Sequence, residues 1–193
     1  NFIGDSHCSL ILGDNFFYGQ DFTPKLLAAK GRESGASIFC HRVQDPHSYG
    51  VVELDSNSNV LSIEEKPAQP KSNYVATGLY FYDNRVVEYA KQVQPSARGE
   101  LEITDINLMY LAEQQLKSEL LGRGFAWFDM GTHDDLLRAG QFVAMIERQQ
   151  GLKIACLEEI AFHHGWINHA QLKQQIILYK NTAYGDYLSY IAR

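Results

Sequence analysis

The chain has 193 residues and a mass of 21.9 kDa, long enough for one domain that hides roughly 70% of the surface its unfolded form exposes. Hydrophobic residues make up 45% and charged residues 21%, an ordinary globular composition that argues against a disordered chain. Lys+Arg number 17 against 23 Asp+Glu, a net charge of −6; that balance argues against a protein that coats nucleic acid or anionic membrane, and no apolar stretch approaches the ~20 residues of a bilayer span.

The three cysteines, Cys8, Cys40 and Cys156, are odd in number and widely spaced. They form no zinc or redox pair, and they suit a reducing, cytoplasmic setting. In chain order, residues 8–12 are a short apolar run ending in Gly13-Asp14-Asn15, the pattern of a strand buried on both faces in a parallel α/β sheet. Residues 23–33 read as a helix with Thr23 as N-cap and Pro24 in its first turn, and 36–43 as a second strand. Residues 49–54 and 60–66 form a hairpin around the turn-rich Asp55-Ser56-Asn57-Ser58-Asn59. Pro67 and Pro70 close it, and 74–82 is a further strand. Helices are expected over 84–92 and 102–117, with short strands at 120–121 and 126–128. From Thr132 the pattern turns helical: Thr132 and Asp135 have capping-box spacing, and Leu136, Ala139, Val143 and Ile146 mark one face. Two or three helices follow Gly151, one of them from Asn168 with Leu172, Ile176 and Tyr179 on a face. The expected organisation is an α/β body over residues 1–130 and a helical region over 131–193 packed on it within the same domain.

Several residues are candidates for chemistry. Asp14 stands just past a strand end, where open α/β sheets bind ligands; alone, it reads first as an Asx-turn or cap residue. Asp129, in Trp127-Phe128-Asp129-Met130-Gly131, also stands at a strand end before a helix. Two such acids together suit Mg2+, which takes one or two carboxylates plus phosphate oxygens and water. Glu65 and Lys66 end a strand before Pro67, so that Lys66 can meet a phosphate and Glu65 can accept from hydroxyls, or both belong to a solvated charge cluster. Arg98 lies in a Pro/Gly loop suited to phosphate, or is an exposed loop arginine. Tyr49-Gly50 offers close backbone approach. His163 and His164 have no partner at metal-ligand spacing.

In order, Leu12-Gly13-Asp14-Asn15, Ser48-Tyr49-Gly50-Val51-Val52, Glu64-Glu65-Lys66-Pro67, Pro70-Lys71-Ser72-Asn73-Tyr74 and Thr77-Gly78-Leu79-Tyr80 resemble the glucose-1-phosphate thymidylyltransferases. Arg98-Gly99-Glu100-Leu101-Glu102-Ile103-Thr104-Asp105, Gly122-Arg123-Gly124, Trp127-Phe128-Asp129 and the run from Gly151 to Glu159 continue the match to the C-terminal region. The resemblance implies a Rossmann-like three-layer α/β nucleotidyltransferase fold, incomplete here, with a helical C-terminal part. It implies transfer of a thymidylyl group from dTTP to glucose 1-phosphate, giving dTDP-glucose and pyrophosphate. Asp14 and Asp129 would hold Mg2+. Tyr49, Gly50, Glu65, Lys66 and Arg98 would form the sugar-phosphate pocket, with Lys66 and Arg98 on the phosphate. A homotetramer and a role in deoxysugar and polysaccharide synthesis are also implied, with no nucleic-acid or membrane partner.

Two departures bear on this. Met130 stands where the family has Thr after the conserved acid. No segment matches the family's Gly-Gly-x-Gly-Thr-Arg-Leu loop, which holds the nucleotide triphosphate. The expectation is therefore a chain that lacks the family's N-terminal third and makes no dTDP-glucose alone. Two other readings are a uridylyl-, cytidylyl- or adenylyltransferase of the same superfamily, and a catalytically silent sugar-phosphate-binding or oligomerisation remnant. His163, in place of the family's usual Arg, predicts an impaired regulatory nucleotide site.

Overall fold

The computed structural model describes residues 2–193. They form eight strands and seven helices: β1 (Cys8–Ile11), β2 (Asn15–Tyr18), α1 (Phe22–Lys30), β3 (Ala36–Arg42), β4 (Gly50–Leu54), β5 (Val60–Glu65), β6 (Tyr74–Tyr82), α2 (Val86–Ala90), α3 (Ile103–Ala112), β7 (Leu116–Leu120), β8 (Ala126–Asp129), α4 (His133–Gln150), α5 (Leu157–His163), α6 (His169–Leu178) and α7 (Ala183–Ile191). The chain divides into two compact units, one ending at Asp135 and the other Leu136–Arg193.

The first unit is a mixed α/β body. Its main sheet runs β5-β4-β6-β3-β7, with β1 also paired to β6. β3 and β7 are parallel, and the other ladders are antiparallel. Alternation along the strands sorts the core into two faces. Ala36, Ile38, Cys40, Tyr80 and Tyr82 meet Val86 of α2 and Ile106 and Tyr110 of α3. Phe39 and Leu79 meet Ala29 of α1 on the other side, with Phe17, Phe22 and Phe125 packed around them. Helix, sheet and helix thus make the expected three layers.

β6 organises the site. Residues 80–82 pair with β3 and also with β1, and Val75 pairs with His41 of β3 and also with Val51 of β4. β1 and β4 therefore share one edge of β6 and leave a gap between them at Ala76–Gly78. On the opposite edge, the β3 ladder shifts register between Ile38 and Cys40, and Thr77 Oγ1 donates to the Phe39 carbonyl across the irregularity at 2.9 Å.

Several expectations need correction. The 8–12 run is not buried: Leu10, Ile11 and Leu12 are 39%, 57% and 39% exposed. β1 is antiparallel to β6, and no second strand pairs with it among the described residues. An apolar run alone fixes neither whether the strand is covered nor which direction its neighbour takes, since both depend on partners elsewhere in the chain. Helix α1 begins at Phe22, with Asp21 in the capping position at φ 57°, so Thr23 lies inside the first turn. The helix expected over 102–117 stops at Ala112: Gln114 takes φ 59° and Gln115 N–H donates to the Tyr110 carbonyl at 2.8 Å. Leu116–Leu120 then runs as β7, because Leu-x-x-x-Leu suits a strand as well as a helix turn. β2 is not among the expected elements: residues 15–18 directly follow the turn at Gly13-Asp14 and run as a strand.

The second unit is helical. Cys156, Leu172, Tyr187 and Leu188 are buried together, with Phe162, Ile176, Tyr179 and Tyr184 around them. Asn168 caps α6 through a full capping box with Gln171. Gly185 is required where α7 passes Tyr179, because a Cβ there would lie 2.2 Å from the Tyr179 carbonyl oxygen. No helix among the described residues is long and apolar enough to cross a membrane. All three cysteines are free.

Candidate active site

The gap on β6 collects the candidate residues. β1 runs out at Ile11, Leu12 N–H bonds the Gly78 carbonyl at 2.8 Å, and the chain turns at Gly13-Asp14 into β2. β2 pairs antiparallel with β8, Asn15 opposite Asp129. Met130 N–H bonds the Asp14 carbonyl at 2.8 Å, so one ladder end carries both acids. Asp14 is exposed and Asp129 half-buried. Burial, then the negative charges of Asp14 and Asp135, hold the Asp129 carboxyl above the ordinary carboxylate range, against the pull of Lys66. A carboxyl whose ionisation is opposed by a neighbouring negative charge suits a cation beside it. Among the described residues no group of three or more His, Cys, Asp or Glu is arranged to hold a metal, so Asp14 and Asp129 would supply two ligands and leave the rest to phosphate or water.

Lys66 follows β5 directly. It has φ 45°, a left-handed conformation that costs a non-glycine residue about 1 kcal/mol or more, and its N–H bonds the Tyr49 carbonyl at 3.0 Å. This break in strand geometry removes the alternation that would separate it from Glu65. Its charge is felt at Asp129 and at Glu102. Glu65 stands opposite Gly50 in the β4–β5 hairpin and accepts from Thr104 Oγ1 at 2.6 Å. A Cβ at Gly50 would lie 3.2 Å from Glu65 Oε2 and 3.3 Å from Thr104 Oγ1, so a side chain there would press on this hydrogen-bonded pair. The Tyr49 ring lies 5.2 Å from that of Trp127.

Arg98 reaches the same cluster from the loop after α2. Its guanidinium is 2.7 Å from Glu102, 3.2 Å from Glu100 and 3.8 Å from Glu65, and Ser96 also donates to Glu102. The arginine is thus already engaged by carboxylates of its own chain. Asp14, Tyr49, Gly50, Glu65, Lys66, Arg98 and Asp129 are linked through these contacts into one region. His163 belongs to the other unit, at the end of α5, with Nε2 3.7 Å from Glu159.

Three residues escaped a role in the sequence reading. Asn15 bonds Asp14, Gly78 and Trp127. Trp127 was visible only as part of a motif. Thr104 is a buried hydroxyl on α3, and its signal was a polar residue on the apolar side of a helix.

The family model for nucleotidyl transferases matches residues 1–145. The chain belongs to the nucleotidyl transferase family. Among its relatives, a glucose-1-phosphate thymidylyltransferase of Neisseria gonorrhoeae is 54% identical over 190 residues, 98% of this chain and 66% of that protein. One from Neisseria meningitidis is 51% identical over 187 residues, 97% of this chain and 65% of that protein. A Bacillus anthracis crystal structure described as a glucose-1-phosphate thymidylyltransferase in complex with sucrose superposes with a TM-score of 0.65 at 41% identity, covering 73% of this chain and 56% of that one. The chain thus spans about two thirds of the length of the curated relatives that it matches. All of the candidate residues named above except His163 lie within the matched 1–145 region.

Proposed function

We propose that this chain carries the metal and sugar-phosphate part of a glucose-1-phosphate thymidylyltransferase. The observation that carries the reading is the convergence, at the gap between β1 and β4, of two acids on one ladder end (Asp14 and Asp129) with Lys66, Glu65 and the Tyr49-Gly50 turn. The relatives' names supply the nucleotide and sugar. A sugar-phosphate oxygen attacks the α-phosphorus of dTTP. The new P–O bond forms as the bond to the β-phosphate oxygen breaks, and the electron pair leaves on pyrophosphate. No covalent intermediate with the protein is required.

The barrier is one of bringing two anions into line and offsetting their charge. Lys66 offsets charge on the sugar phosphate. Glu65, steadied by Thr104, accepts from sugar hydroxyls. Tyr49 and Gly50 let the sugar approach the backbone. Arg98 becomes a second phosphate contact by exchanging its carboxylate partners for phosphate oxygens, and Glu65, Glu100 and Glu102 hold it nearby until then. Asp14 and Asp129 would hold Mg2+, which when bound would neutralise charge on the phosphoryl oxygens. Activity is proposed for the protein that joins these residues to a triphosphate-binding loop, acting in the cytoplasm as a homo-oligomer on a deoxysugar route. Exposed Leu157, Trp166, Ile177 and Leu178 support the association of copies.

Equilibrium dialysis of the chain with labelled glucose 1-phosphate and Mg2+ tests the reading. Saturable binding is expected, and Lys66→Ala should weaken it by ~2–3 kcal/mol, the scale of a lost charge-assisted phosphate contact. Absence of saturable binding, or an unchanged affinity in Lys66→Ala, would overturn it.

A further inference from the structure

The Asn15 side chain occupies the gap that β1 and β4 leave on β6. Its Oδ1 accepts from the indole Nε1–H of Trp127 at 2.7 Å and from the backbone N–H of Gly78 at 3.1 Å. Its Nδ2 donates to Asp14 Oδ1 at 2.9 Å. One orientation of the amide satisfies all three contacts. Turned over, its NH2 would face two N–H donors and its oxygen would face a carboxylate. A Cβ at Gly78 would lie 2.7 Å from the amide, so glycine there is what lets the side chain seat. The Trp127 ring is itself held between Tyr49 at 5.2 Å and His41 at 6.1 Å. The donor that selects the amide orientation is therefore fixed before any ligand arrives.

We propose that Trp127 is a positioning residue that sets the Asn15 amide and, through it, the Asp14 carboxylate for the divalent cation shared with Asp129. The inference rests on the metal reading given above. β2 and β8 bring the acids and the pair that steadies one of them together: Asp14 immediately precedes Asn15 of β2, and Trp127 is two residues before Asp129 in β8. Partners behind a metal ligand of this kind are worth ~10–100-fold in metal affinity. A packing role for Trp127 needs only its ring, whereas the positioning role needs its N–H.

The test removes the N–H and keeps the ring. The chain has two tryptophans. In a Trp166→Phe background, Trp127 is replaced biosynthetically by the benzothiophene analogue of tryptophan, with sulfur in place of N–H. Mn2+ affinity by electron paramagnetic resonance, the Asn15 side-chain amide resonances and the melting temperature are measured. About a tenfold loss of Mn2+ affinity is expected, with shifted Asn15 amide resonances and little change in melting. Asn15→Leu should weaken Mn2+ comparably, and the analogue should add nothing in that variant, because the indole acts through the amide. Unchanged Mn2+ affinity in the analogue, or losses that add with Asn15→Leu, would overturn the proposal. If the unaltered chain binds no Mn2+, the metal reading fails. The Asn15 amide resonances then still decide whether Trp127 sets the amide, and unshifted resonances would overturn that too.

Discussion

Asp129 carries an electrostatic conflict, since its burial and the charges of Asp14 and Asp135 all raise its carboxyl above the ordinary range. A raised folded-state carboxyl means that the folded chain binds more protons than the unfolded one. Its stabilising contribution is then present at low pH and lost as pH rises through the shifted range. Asp129→Asn is neutral throughout. It is expected to raise the melting temperature at pH 7, with the gain shrinking as pH falls toward 3, and to abolish Mn2+ binding. Thermal melts across that pH range and a metal titration check both. Thr104→Val keeps the shape of the side chain and removes its bond to Glu65. It should weaken glucose 1-phosphate binding by about 1 kcal/mol, the net worth of one side-chain hydrogen bond, as read by dialysis.

At the scale of elements, β1 is the exposed one. It pairs with β6 alone among the described strands, and its Leu10 and Ile11, with Leu12 just beyond it, are uncovered. Unpaired apolar edges add strands from other chains. The 193-residue chain is therefore expected to self-associate at tens of micromolar, and Ile11→Lys should shift it toward monomer in sedimentation velocity, since an edge lysine opposes pairing. Helix ends read more directly. The Thr132–Asp135 and Asn168–Gln171 pairs are both formed, with Thr132 Oγ1 accepting from Asp135 N–H at 3.1 Å. These two caps depend on side chains three residues apart, a local signal, whereas the cap expected at Thr23 gives way to Asp21, which enters α1 in a left-handed conformation with no side-chain cap bond.

Across the whole first unit, Asp83 ties the layers together. It accepts from Gly35 N–H ahead of β3 at 2.6 Å, from Arg85 at 2.7 Å and from Tyr110 of α3 at 2.8 Å. Burial opposes its ionisation, yet the bonds from Arg85, Gly35 and Tyr110 prevail and hold the carboxyl at about 2. Its contribution is therefore present above the unfolded value near 4 and lost as pH falls from about 4 to about 2. Asp83→Ala should cost about 3 kcal/mol at pH 7 and flatten stability across that acid window, as measured by urea unfolding at stepped pH. In the second unit, Leu172 is fully buried beside Cys156, Tyr187 and Leu188. Leu172→Ala should cost about 3 kcal/mol, read as lost hydrogen-exchange protection in α6 and α7.

Most elements were legible in sequence, because strand alternation and turn residues are local patterns; the acidic and basic candidates stood out locally only as charges at strand ends and in a loop, and the family resemblance gave them roles. The hairpin at 50–65, β6 and the cap of α6 lie where those patterns put them. What local pattern does not hold is pairing. That β1 and β4 share one edge of β6, that β2 exists at all, and that Asn15 faces Asp129 depend on contacts between residues far apart in the chain. Those contacts make neighbours of Asp14, Asn15, Trp127 and Asp129, and they bring Glu65 within 3.8 Å of Arg98. The sequence alone determined which side chains are present with the right charge at strand ends. Only the tertiary structure decided which of them meet, because hydrogen-bond register between distant strands fixes their separation.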